Sequence, residues 1–383
     1  MKLSVIKFMS GFLILTLFAC GPSSEQVAAT YMAETAAVVS STPLPTNTPT
    51  QTLTPTKLPT ETPTLALLVP NSYPSIQEAI DAADDGDMIV VSPGRYFENI
   101  DFKGKDISVH STNPNDSDVV ENTIIDGGGN GSVVTFKNGE TNEARLEGFT
   151  IMNGNVNFGG GINIRYNSSP TIAKNIIINN IASSGGGGIA VNENSSPTIK
   201  NNTISNNQTG SFGGGIEVYT SHPTILDNII HDNIAKFGGG ISVIKDSNPT
   251  VEKNTISNNQ ANVAGGGIVV DGNSDPVIND NVISENQADF GGAGIFINND
   301  SSPTISNNII RGNQTAKEGE GGGIVIADKS MPIIIDNTIK ENQAQLGGGI
   351  LVFDNAAPVI YGTTIKDNTA EVGGGYGFRV IPH

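Results

Sequence analysis

The chain has 383 residues, of which 46 are glycine, 20 are proline and one is cysteine, with no tryptophan. A single cysteine excludes a disulfide scaffold, while 37% hydrophobic residues are enough for a packed core. Asp and Glu number 38 against 20 Lys and Arg, a formal charge of −18. That charge repels phosphate backbones, and no basic run interleaves with aromatics, so nucleic acid is not an expected partner.

Lys2 and Lys7 precede an apolar run from Phe8 to Ala19, the layout of a secretory signal and too short to span a bilayer. It ends in Leu17-Phe18-Ala19-Cys20, which resembles the lipobox of bacterial lipoproteins. The resemblance implies cleavage before Cys20 and lipid modification of that cysteine, although Phe18 stands where such motifs carry a small residue. More than one acyl chain would anchor the protein stably to a membrane and leave it at the cell surface. The alternative is an ordinary secretory signal with an incidental cysteine.

From residue 21 to 68 the composition shifts to stretches such as TPLPTNTPTQTLTPTKLPTETPT, without an apolar period. Such a segment cannot build a core and reads as an extended stalk, reaching roughly 75 Å over its Thr/Pro-rich part at polyproline spacing. The folded part is expected over 69–383. Ser75 can cap a short helix with Glu78 three residues on, and Ile76, Ala79, Ile80 and Ala83 share one face. Asp84, Asp85 and Asp87 around Gly86 do not fit a calcium-loop template and read as a solvated turn before the strand from Met88 to Val91. The polar stretch SVHSTNPNDSDVVENT carries Asp116, Asp118 and Glu121, candidate ligands for a cation, with a plain surface loop as the alternative.

Regular repeats begin near residue 146 and are anchored on Pro170, Pro197, Pro223, Pro249, Pro276, Pro303, Pro332 and Pro358. Two residues after each proline stands Ile or Val (Ile172 to Ile360), and seven after it always Ile (Ile177 to Ile365), which predicts inward stacks. Five after it runs an asparagine series from Asn175 to Asn337 ending in Thr363, and ten after it another from Asn180 to Asn368. A glycine-rich segment then leads into Ile162, Ile189, Ile216, Ile241, Ile268, Ile295, Ile324 and Ile350. These units are too short to hold a helix and do not pair as hairpins, so each is one coil of a parallel β-solenoid. The expectation is an all-β, single-stranded right-handed parallel β-helix, with three short strands per coil, about eleven coils stacked at the strand spacing of about 4.8 Å, and a short N-terminal cap helix.

The motif SSPTIxNNxIxxNxAxxGGGIxV resembles the right-handed parallel β-helix repeats of the pectin-lyase-like group, and its glycine-rich half is similar to repeats of bacterial polymorphic outer-membrane proteins. PSIQEAIDAADDGDMIVVSPGRYFENI and LEGFTIMNGN resemble the first coils of that group. The group holds polysaccharide lyases, glycoside hydrolases, epimerases and adhesins, so the resemblance implies a fold more than an activity.

Polysaccharide-active members would use clustered carboxylates on an outer face, with Ca2+ if the chemistry were that of a lyase. The best such constellation is the basic column Arg311, Lys340 and Lys366 beside Glu341 and Asp367, whose alternative is an exposed salt-bridge ladder. The outward residue after each GGGI runs Asn163, Ala190, Glu217, Ser242, Val269, Phe296, Val325 and Leu351. Its apolar end, Val269, Phe296, Val325 and Leu351, is a candidate docking stripe. With no catalytic assignment secured, the expected role is a non-catalytic, lipid-anchored surface protein that binds a polysaccharide or a surface protein and needs no cofactor. The alternative is a lyase or hydrolase acting on uronic-acid polymers. The last coil is expected to leave open backbone edges, which allows end-to-end or face association.

Overall fold

The computed structural model describes residues 66–378; the signal segment, Cys20 and almost all of the Thr/Pro-rich stretch lie outside them. The described chain winds as a parallel β-solenoid of about eleven turns with little helix. Its strands form four sheets, in which every ladder between neighbouring strands is parallel and joins one coil to the next. Sheet I starts at Leu67–Val69 and holds 12 strands; sheet II starts at Gly94–Phe97 and holds 11. Sheet III starts only at Asn155–Phe158 and holds nine, and sheet IV starts at Ile100–Asp101 and holds 11.

From Asn155 on, a coil therefore carries four strands where three were expected. The extra one is sheet III, as short as Gln208–Thr209, between the second asparagine and the glycines. Two residues are too few for an alternation to be read from sequence.

Inside the coil the expected stacks are in place. Ile172, Ile199, Ile225 and their counterparts through Ile334 are 0% exposed, as are Ile177 to Ile339 and the sheet IV residues Ile162 to Ile350. Each such side chain contributes about 1.5–3 kcal/mol on burial. In the last described coil Ile360 and Ile365 are only partly buried.

Both asparagine series form hydrogen-bonded ladders with one polarity. Asn254 Oδ1 accepts the Asn228 backbone N–H at 2.9 Å and the Asn228 Nδ2–H at 3.0 Å. Asn254 Nδ2 donates to the Ile225 carbonyl, one coil back, at 2.9 Å and to Asn281 Oδ1 at 3.1 Å. In the second ladder Asn207 donates through N and Nδ2 to Asn233 Oδ1 at 3.0 and 3.1 Å, and through Nδ2 to the Ile177 carbonyl at 2.9 Å. A third ladder has no counterpart in that reading: the serine two residues before each repeat proline from Pro170 to Pro332. Ser195, Ser221, Ser247 and Ser274 each donate a backbone N–H to the next serine's Oγ at 3.2 Å, and all are 0% exposed.

Coils turn at residues in the left-handed region. Lys174, Asn201, Asp227, Lys253, Asp280, Asn307 and Asp336, four after each proline, have φ between 52° and 56°. Asn and Asp visit this region with least cost, which explains their share of the column without any ligand.

The N-terminal end is closed by helix α1 (Ile76–Ala82), which buries Ile76, Ala79 and Ile80. Ser75 Oγ accepts the Glu78 N–H at 3.2 Å as expected. The Glu98 carboxylate from the first coil takes the Ile76 and Gln77 N–H groups at 2.9 Å each, placing negative charge at the helix's positive end.

Candidate functional site

The outer wall decides what each candidate can do. Asp116 is the N-cap of a second helix, α2 (Ser117–Asn122), and accepts the Asp118 N–H at 3.0 Å. Its carboxylate is a capping group, and among the described residues no cluster of three or more His, Cys, Asp or Glu side chains is arranged to hold a metal; Asp118 and Glu121 are exposed on the helix.

Arg311, Lys340 and Lys366 do stack in register on sheet II. Glu341 and Asp367 occupy the adjoining left-handed corners, at φ 58° and 55°. Lys340 pairs with Glu341 at 3.1 Å and Arg311 with Glu285 at 3.9 Å, on exposed side chains. Two of the three cations thus pair with carboxylates at the surface, where such pairs contribute little.

The apolar stripe is not a surface. Val269 and Leu351 are 0% exposed, Val325 1%, and Phe296 is partly buried. The chain leaving sheet III folds back over them, joined coil to coil by the bridges Ala264 to Gly291, Glu320 and Leu346. The glycine four residues before a stripe residue packs directly on it. A Cβ on Gly265 (φ +68°) would stand 2.9 Å from Val269 Cβ, and one on Gly347 (φ +63°) 2.8 Å from Leu351 Cβ. The glycine four residues upstream was the signal that this face is covered. Val325, Ala327, Leu351 and Phe353 make a small second core under that cover.

The same covered column holds Glu217, which is 2% exposed, its Oε2 without a hydrogen-bond partner and its carboxyl against Gly185. Burial pushes its pKa up to about 8, so the side chain is neutral at pH 7. Its register neighbours are Ala190 and Ser242, the latter also buried with an unpartnered hydroxyl.

One concavity on the wall combines charge, amides and an aromatic ring, and no motif announced it. Sheet III is missing from the first coils, and the loop from Gly127 to Ser132 runs from the end of a sheet II strand (Thr123–Asp126) to a sheet IV strand (Val134–Phe136). The gap is a groove of about 350 Å³ lined by Arg95, Phe97, Asp126, Asn153, Asn155, Asn179 and Ile181 with Gly128 and Gly129. Asp126, 2% exposed, forms its floor. Its Oδ2 accepts from Arg95 Nε at 2.7 Å and from Arg95 Nη2, and Asn153 Nδ2 donates to both its oxygens at 3.0 Å. Burial alone would raise the Asp126 pKa; the Gly128 N–H at 2.9 Å, then Arg95 and Asn153, outweigh it and hold the carboxyl below the usual range. Phe97 is 73% exposed, with the Arg95 guanidinium 5.2 Å from its ring centre.

The family described as "Right handed beta helix region" matches the chain over residues 86–234 and 209–319, together more than half its length. No curated protein and no solved structure matches the chain.

Proposed function

The chain belongs to the right-handed β-helix family, and from that premise we propose that it is a non-catalytic, lipid-anchored bacterial surface protein whose solenoid presents a binding wall to a glycan or a protein. The observation that carries this reading is the outer face of sheets II and III. Gln260, Gln287, Gln314 and Gln343 stand exposed in one register column of sheet III, and the partly exposed Arg311 and Lys340 stack with the exposed Lys366 in one of sheet II. Hydrogen-bonding groups repeated at about 4.8 Å along a rigid wall suit an extended partner with its own repeat. The signal segment, Cys20 and the Thr/Pro-rich stalk support display away from a membrane.

The full chain expressed in a bacterium with its own leader tests the reading. Fatty-acid labelling that disappears in Cys20→Ser, together with retention of glycan or cell-surface protein by the intact chain, is expected. Calcium-dependent release of unsaturated products from polygalacturonate or alginate would replace it with the lyase reading. Full-length protein released unlabelled into the medium would remove the anchor.

A further inference from the structure

We propose that the groove between Arg95 and Ile181 is a binding site for a single neutral pyranose unit of a glycan. This deepens the preceding reading and rests on it. The groove lies at the low end of the size range of ligand pockets, about 300–1,000 Å³, room for one sugar ring.

Its chemistry points to hydroxyl groups on a partly apolar ring. Phe97 offers an exposed aromatic face, with the Arg95 guanidinium over the ring. Sugar rings carry C–H groups on one face that stack on such a surface, while their hydroxyls require paired donors and acceptors. Arg95 engages Asp126 through Nε and Nη2, which leaves the Nη1 donors for a ligand. Asn155 and Asn179 add amides, each both donor and acceptor, to the same lining as the half-exposed Ile181. Arg95 and Asp126 cancel each other's charge, and the chain as a whole carries −18, so a neutral sugar is favoured over a uronate.

Heteronuclear NMR of the full chain titrated with glucose, galactose, mannose and N-acetylglucosamine tests the site. One of them is expected to shift the Phe97, Asn155 and Asn179 resonances and saturate with a Kd of about 1 mM, weak as suits one ring. Phe97→Ala, which removes an exposed side chain, should weaken that binding about tenfold with an unchanged melting curve. Arg95→Lys, which keeps a charge beside Asp126, should weaken it as well. Four sugars that leave every groove resonance unmoved, or an affinity identical in Phe97→Ala, overturn the proposal. If the intact chain and Phe97→Ala retain the same glycan on an array, the groove fails while the surface-binding reading stands. If neither retains any glycan, the glycan form of both falls. Shifts produced by a peptide and by no sugar reassign the groove to a protein partner.

Discussion

The first coils and the later ones solve the same problem with different chemistry. From Asn175 onward the column five after the proline is filled by amides that bond to one another. One coil earlier the same column holds Phe149, fully buried, and the column five further on holds Gly154. The polarity of the ladders explains why this is tolerated. Each member donates forward to the next coil's Oδ1, so the first member is asked only for its backbone N–H. Phe149 gives that to Asn175 at 3.0 Å, and Gly154 to Asn180 at 2.9 Å. At the far end an acceptor is required, and Thr363 and Asn368 supply it. Regular coils leave their walls closed; the concave groove arises where sheet III is missing.

The sharpest break of this contrast is Asn254→Leu. It deprives both Asn228 donors of their acceptor and the Ile225 carbonyl of its donor inside a fully buried column. A loss of about 3–5 kcal/mol is expected in urea unfolding. Phe149→Leu, which keeps the N–H, should cost only about 1–2 kcal/mol of packing. Equal losses at the two sites would show that the polarity is irrelevant.

Glu217→Ala acts in the opposite direction, because it gives the coil the residue its neighbour has at Ala190. With the folded pKa near 8 against an ordinary 4.5, the carboxyl is neutral in the fold but ionised in the unfolded chain between those values. The contribution of this carboxyl to stability is greatest below pH 4.5, falls as pH rises to about 8, and levels off above. The substitution removes that slope, about 1.4 kcal/mol per pH unit. Melting at pH 5 and pH 8 should therefore show a gain of about 2–4 kcal/mol, concentrated at the higher pH. A gain independent of pH would mean that Glu217 is not protonated in the fold.

Smaller effects belong to the corners and the wall. Glu285→Asn, at φ 58° where a neighbouring coil carries Gly312, should gain about 0.5–1 kcal/mol through backbone preference. Lys340→Ala should change stability by less than about 0.5 kcal/mol, since its pair with Glu341 is exposed. A large loss there would give the basic column a structural role.

What the sequence disclosed and what it hid follow the same division. The isoleucine stacks, the amide ladders and the capping Ser75 were legible because each obeys a period or a local rule. The serine ladder was equally periodic, yet a lone serine before proline reads first as a turn residue. The stripe from Val269 to Leu351 alternates as an exposed face should, and its cover comes from a different part of the coil. Arg95, Asp126 and Asn153 share no motif; they meet because Gly94–Phe97 and Thr123–Asp126 pair in register and the next wall has not begun.

The forward-donating ladders also give the molecule a direction of construction. With α1 closing the N-terminal end, each coil made after it arrives on a finished surface and brings the acceptors that the previous coil lacks. A chain emerging N-terminus first can be completed turn by turn, its unmet donors confined at every stage to the growing tip.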